Sequence, residues 1–191
     1  MFVAHLPAGY LVTRYYLRSI GLYRMGSSNI GPRKMDTQNT VARFYVLFGL
    51  LCSILPDIDL FYFYLIDHRQ HEHHSYWTHI PLFWILLSAL LYFGSKALFN
   101  KNIGLICLIL LINTQLHMLL DSVAGGIYWL FPFGGEKYRL FVVTARFDWW
   151  VWNFFIHWTF LFELLIITAA MYVFWNDRKS ALMKTADQYE S

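Results

Sequence analysis

The sequence predicts an all-α fold: a polytopic membrane helix bundle with four spanning helices and a fifth, N-terminal helix. Three observations carry this. Of the 191 residues, 58% are hydrophobic and only 14% charged, against ~25% charged in ordinary soluble domains. Polar surface is therefore too scarce to cover a soluble globule. Aromatic residues reach 20%, and several apolar stretches attain the ~20 residues that a bilayer-crossing helix needs. The length suits one domain, residues 1–191.

The N-terminal stretch Phe2–Tyr23 is amphipathic and carries Arg14 and Arg18. It either crosses the membrane or lies flat on the inner surface. His5, Pro7 and Arg14 interrupt its apolar start, and no small-residue cleavage site follows, so it does not read as a cleavable signal peptide. Val41–Ile66 is long enough to span but is broken by Pro56, Asp57 and Asp59. Proline disfavours helix at the residue before it, which predicts an end near Leu55. Ile80–Phe99, Ile103–Leu120 and Trp149–Trp175 are the plain spans. Cys52 and Cys107 lie inside apolar runs and read as buried thiols rather than a disulfide.

Loop charges set the orientation. Arg24, Arg33, Lys34, Arg43, Lys96, Lys101, Arg178, Lys179 and Lys184 fall on one side, whereas only Arg69, Lys137, Arg139 and Arg146 fall on the other. The first side, with the C-terminus, is expected to be cytoplasmic. The net charge of +3 is too small, and the basic residues too scattered, for a nucleic-acid partner. Depth favours a crossing first helix. At ~1.5 Å per residue, Arg14 and Arg18 lie roughly 14 and 20 Å below His5, and Glu163 roughly 21 Å below Trp149. Ionisable groups that deep pair with one another, so a Glu163–Arg14 or Glu163–Arg18 pair is expected.

The unusual polar residues gather on the outward side. Asp57 and Asp59 end the broken span, and His68, His71, His73, His74 and His79 follow within twelve residues. His117 and Asp121 end the next outward-running span. Four apart, they project from one side of a helix, and imidazole nitrogen with carboxylate oxygen suits zinc. Asp57 and Asp59 would repel each other unless a cation lies between them. The window is not a His-Glu-x-x-His helix, because Ser75 stands where the second histidine is required. His68 and His71 are the expected bystanders. Unpaired charge near lipid is costly, and a divalent metal removes that cost.

In these motifs the chain resembles the LexA-regulated, membrane-bound metal-dependent hydrolases (YdjM-like), a bacterial inner-membrane family. The matching elements are His5; Leu55-Pro56-Asp57-Ile58-Asp59; His74-Ser75-Tyr76-Trp77-Thr78-His79; His117-Met118-Leu119-Leu120-Asp121; and Phe131-Pro132-Phe133 followed by Lys137 and Arg139. Ser75 and Ile80 replace the family's Arg and Ser. The five-residue spacing still selects His74 and His79, with His73 an alternative to His74. The resemblance implies that His5 belongs to the site and that the activity is metal-dependent hydrolysis.

Together these give a metal set of His5, Asp57, Asp59, His74, His79, His117 and Asp121. Seven ligands exceed one closed zinc site, so more than one divalent ion, zinc first, is expected. Asp57 and Asp59 are the candidate catalytic carboxylates, with Asp59 preferred as base or bridge. Lys137, Arg139 and Arg146 could hold a phosphate or anchor to headgroups. A site at headgroup depth suggests a phosphoester in a membrane lipid or lipid-linked substrate. The alternatives are a metal-ion or small-solute transporter and a non-catalytic protein with structural metal. His157 is a candidate supporting partner of the site.

Overall fold

The computed structural model describes residues 3–23 and 32–190, with side chains throughout except at 32–39, 150, 181 and 184–190. Seven α-helices make up the described chain: α1 (His5–Ser19), α2 (Pro32–Ile54), α3 (Asp59–Leu65), α4 (Pro81–Phe99), α5 (Gly104–Asp121), α6 (Trp150–Phe155) and α7 (Phe160–Glu190). Among the described residues the only β-type pairing is an isolated bridge between Ile127 and Tyr138. Four helical stretches are long and apolar enough to cross a membrane: Thr40–Leu65, Pro81–Phe99, Gly104–Asp121 and Phe160–Ser180. The protein is an all-α, integral membrane bundle. Of the residues used for orientation, Arg24 and the side chains of Arg33, Lys34 and Lys184 lie outside the described set.

The break after α2 follows Pro56. α2 ends at Ile54, a 3-10 turn covers Leu55–Ile58, and α3 starts at Asp59. The turn reorients the two aspartates without an extended segment, so the helical path resumes almost at once. α4 and α5 form a hairpin whose connection lies at the far end from Asp121. α2, α4 and α5 share a core of Cys52, Trp84, Leu110 and Met118, completed by Ile127 from the loop after α5. Cys52 and Cys107 are both buried free thiols.

α1 does not lie flat. It packs against α2, α5 and α7, running into the bundle from the end that carries His5. Its 15 residues span ~22 Å, short of the ~30 Å hydrocarbon core. Close approach to α2 depends on small residues at the crossing, as in other membrane helix pairs. A Cβ at Gly49 would collide with the Thr13 side chain, and one at Gly9 with Ser53. Gly49→Leu is therefore expected to cost about 1–3 kcal/mol by overpacking, read as a lowered Tm in detergent.

Two expectations need correction. Trp149–Trp175 is not one continuous helix: the chain breaks over 156–159, between α6 and α7. Glu163 consequently sits in the first turn of α7 rather than deep in a span. It pairs with neither Arg14 nor Arg18. Its Oε2 accepts the backbone N–H groups of Val3 (2.5 Å) and Ala4 (3.1 Å), an N-terminal helix position that favours a carboxylate. Arg14 instead donates from Nε and a terminal nitrogen to the two oxygens of Asp177, each at 2.5 Å. Arg18 is exposed.

Candidate metal centre

The end of the bundle that carries His5 and Asp121 collects the scarce polar groups. α5 contributes His117 and Asp121 from one face, the turn after α2 contributes Asp57, and α3 begins with Asp59. The loop between α3 and α4 contributes two single 3-10 turns, His73–Ser75 and Trp77–His79. Asp67 shapes that loop by accepting both the backbone N–H (2.9 Å) and ring Nδ1 (2.7 Å) of His71. Trp84 Nε1 donates to the Thr78 carbonyl at 2.7 Å, which docks the second turn onto α4.

One ligand atom from each of Asp57, His79, His117 and Asp121 lies within 4.8 Å of all the others. His79 Nε2 is 3.6 Å from Asp57 Oδ1 and 3.7 Å from Asp121 Oδ2. His117 Nε2 is 3.5 Å and 3.0 Å from the same two oxygens. Zinc ligands at ~2.0–2.1 Å in a tetrahedron are ~3.3 Å apart, which the four separations bracket. The two histidines are also correctly poised. His79 Nδ1 faces Asp59 Oδ2 at 2.7 Å, and His117 Nδ1 faces the Ser53 carbonyl at 2.7 Å. With Nδ1 donating to these acceptors, each Nε2 presents a lone pair, and both Nε2 atoms are buried without a hydrogen bond. Metal-binding histidines are held in this way by an acceptor on the other nitrogen. The residues could hold a metal ion.

A second group shares a member: His73, His74 and His79 also bring three ring nitrogens together. His73 Nε2 lies 3.1 Å from Asp57 Oδ1, and its Nδ1 lies 3.1 Å from Asp59 Oδ1. Burial pushes the His73 imidazole down, but its contacts with Asp57 and Asp59 outweigh this and hold its pKa at about 9. The acidic cluster thus draws positive charge toward itself. His74 behaves oppositely: burial pushes it down to about 3 despite Asp121, so its imidazole stays neutral and its lone pair is retained. Its Nε2 stands 3.5 Å from Asp121 Oδ2. Gly125 gives the His74 ring its place, since a Cβ there would collide with that ring.

His5 and Asp59 reach the cluster but lie outside the quartet. His5 Nε2 contacts Asp121 Oδ1 at 3.1 Å, and its ring stacks on His117 with centroids 3.9 Å apart. Asp59 Oδ2 is occupied by His79 and by a short hydrogen bond from the Thr78 hydroxyl, so this oxygen orients His79. Asp57 remains the more open carboxylate, its side chain 27% exposed against 5% for Asp59 and 2% for Asp121. His68 and His71 are exposed; neither joins the metal-suited groups.

The basic residues separate. Lys137 pairs with Glu72, just before His73, and lies over the Tyr128 ring at 5.0 Å. Burial and the neighbouring Arg139 both lower its pKa. Arg139 is exposed. Arg146 stands apart, lining a cavity with His157 rather than the cluster. His157 does not support the cluster; its Nδ1 meets Thr159 Oγ1 at 2.9 Å within the α6–α7 break. The sequence reading did not single out Thr78, the Ser53 carbonyl or Glu72. Thr78 had a local signal, lying between two histidine-bearing positions of one motif, whereas the Ser53 carbonyl had none.

No curated protein and no solved structure matches the chain. The family model described as YdjM inner membrane protein matches residues 4–183, almost the whole chain and every residue of the cluster. The chain belongs to the YdjM inner membrane protein family.

Proposed function

We propose that this protein is a membrane-bound metal-dependent hydrolase that cleaves a phosphoester in a lipid or lipid-linked substrate at the outer membrane face. The observation that carries the proposal is the pair of buried Nε2 atoms of His79 and His117, each fixed through Nδ1 and aimed at Asp57 and Asp121. Asp57, His79, His117 and Asp121 would hold the first ion, and His73 and His74 would extend the site to a second. Bound there, a divalent cation, zinc by its ligand chemistry, supplies Lewis acidity and a nucleophile at neutral pH.

The remaining work falls to the chain. Asp59 and the Ser53 carbonyl hold the two imidazoles in the donor tautomer, and His5 steadies Asp121. Lys137 and Arg139 offer positive charge beside the histidine loop for a phosphate. Asp57, His73 and His74 are the partly exposed members, so the site opens on their side; a purely structural site would be closed. Transport is disfavoured because Arg14 and Asp177 neutralise each other deeper in the bundle. The outward orientation rests on loop charge: Lys96, Lys101, Arg178 and Lys179 lie toward the end opposite the cluster.

The test is hydrolysis of short-chain glycerophospholipids and polyprenyl phosphates by zinc-loaded protein in nanodiscs. Chelator-sensitive release of product supports the proposal; no turnover of any of them by metal-replete protein overturns it. Metal-free but folded wild type, purified without chelator, would overturn the metal site itself. Asp59→Asn should weaken metal affinity ~10–100-fold, the usual loss for an orienting partner, while the fold is kept. Competition against a zinc-sensitive dye measures this.

A further inference from the structure

A second concavity lies apart from the acid–histidine cluster. It encloses about 480 Å³, and its lining includes Val142, Arg146, Phe147, Ile156, His157 and Trp158. Its wall is built from a pinned loop. Asn153, buried on α6, accepts the backbone N–H groups of Arg146 (2.7 Å) and Phe147 (2.9 Å) through Oδ1. Its Nδ2 returns a bond to the Phe147 carbonyl at 3.0 Å. The Arg146 backbone is therefore fixed while its side chain is exposed, and among the described residues no acidic group forms an ion pair with it.

His157 adds a second donor. Its Nδ1 accepts the Thr159 backbone N–H at 3.4 Å, which leaves Nε2 to carry the ring proton. Two donors, one of them charged, thus stand beside the Thr144 hydroxyl and the Asn153 amide, already committed to the loop backbone, in a wall whose apolar part is Val142, Phe147, Ile156 and Trp158. That composition suits one anionic group attached to hydrocarbon. The position agrees. Trp149, Trp152, Ile156 and Trp158 are all about half exposed around the helix break, the arrangement of residues at headgroup depth. Backbone bonds from Leu140 to Ser122 (2.8 Å) and Phe141 to Val123 (3.0 Å) tie this wall to the residues just after Asp121. The cavity and the cluster share one end of the bundle.

We infer that this cavity binds the anionic headgroup of a membrane amphiphile, with phosphate against Arg146 and His157 and hydrocarbon along Ile156 and Trp158. It is the subsite where a lipid substrate is first captured, before its phosphate passes to Lys137 and Arg139 beside the cluster. This deepens the proposed function, yet capture does not depend on hydrolysis, so the two fail separately.

The experiment titrates dioctanoyl phosphatidic acid into the full-length protein in phosphatidylcholine nanodiscs, with chelator present, and follows tryptophan fluorescence. Saturable binding is expected. Arg146→Ala should weaken it about tenfold or more, the loss of one charge-assisted contact. Dioctanoylglycerol, which lacks the phosphate, should not bind, and millimolar inorganic phosphate should not compete. Binding by Arg146→Ala within about twofold of wild type overturns the inference. Competition by inorganic phosphate as effective as the amphiphile also overturns it, because the site would then be one for a free anion. If binding behaves as expected but no phosphoester is hydrolysed, the subsite stands and the hydrolase proposal falls.

Discussion

His117→Ala is expected to strip the protein of metal and of hydrolysis together. The side chain is fully buried, and its Nε2 makes the shortest of the four contacts, 3.0 Å to Asp121 Oδ2. Loss of an orienting neighbour alone weakens metal binding ~10–100-fold, so loss of a ligand should exceed ~100-fold. The substitution also leaves the Ser53 carbonyl without its donor, a cost of about 1–3 kcal/mol for a buried group. Metal content by mass spectrometry, read beside the elution profile in detergent, separates these effects. A folded, metal-free, inactive variant is the expected outcome. Full metal occupancy would sink the site. If the variant fails to fold, chelated wild type decides: unfolding on metal removal means a structural ion, and a folded, reversibly inactive protein means a catalytic one.

Most of this site was legible because its residues come in short motifs whose spacing is local. His117 and Asp121 share a helix face by their four-residue interval, and Pro56 marks the turn that presents Asp57. The division of labour among those residues was not legible. The sequence prefers Asp59 as base or bridge, but tertiary contacts decide what each aspartate faces: Asp59 spends Oδ2 on His79 and Thr78, while Asp57 Oδ1 faces the lone pairs. Which nitrogen of His117 points inward is decided by a backbone carbonyl 64 residues away on α2. No spacing rule carries that information.

Three of the four spans were legible from length and apolarity, and their ends fell within one residue of the expected positions. The last span misled because α6 and the start of α7 are equally apolar, so hydropathy alone does not reveal a break over 156–159. That error moved the depth of every later residue. With α7 starting at Phe160, Asp177 lies ~21 Å beyond Glu163 along the helix, and Arg14 lies ~15 Å beyond Ala4 along α1. The difference is within reach of an arginine side chain, so Asp177, not Glu163, meets Arg14.

That pair sets up the second large effect. Asp177 accepts from Arg14 twice, from the Tyr23 hydroxyl at 2.9 Å and from the Tyr10 hydroxyl at 3.3 Å. Both charged side chains are only 11% exposed, and α7 is held to the bundle chiefly through α1. Asp177→Ala takes the carboxylate away from the buried guanidinium and from two partly buried hydroxyls. Breaking one side of a buried pair costs about 3–5 kcal/mol, so a large fall in Tm is expected. Replacing both charges by apolar groups, as in Arg14→Met with Asp177→Leu, removes the stranded charge; such exchanges are often neutral or stabilising. The double variant should therefore recover most of the lost stability, a non-additivity that a double-mutant cycle in detergent measures directly. Metal affinity should change far less than stability, because Glu163 still anchors the outer end of α1 through Val3 and Ala4. Equal stability of Asp177→Ala and wild type would mean that the α1–α7 contact is held by apolar packing alone. A double variant as unstable as the single would mean that the hydrogen bonds, rather than the stranded charge, dominate the cost.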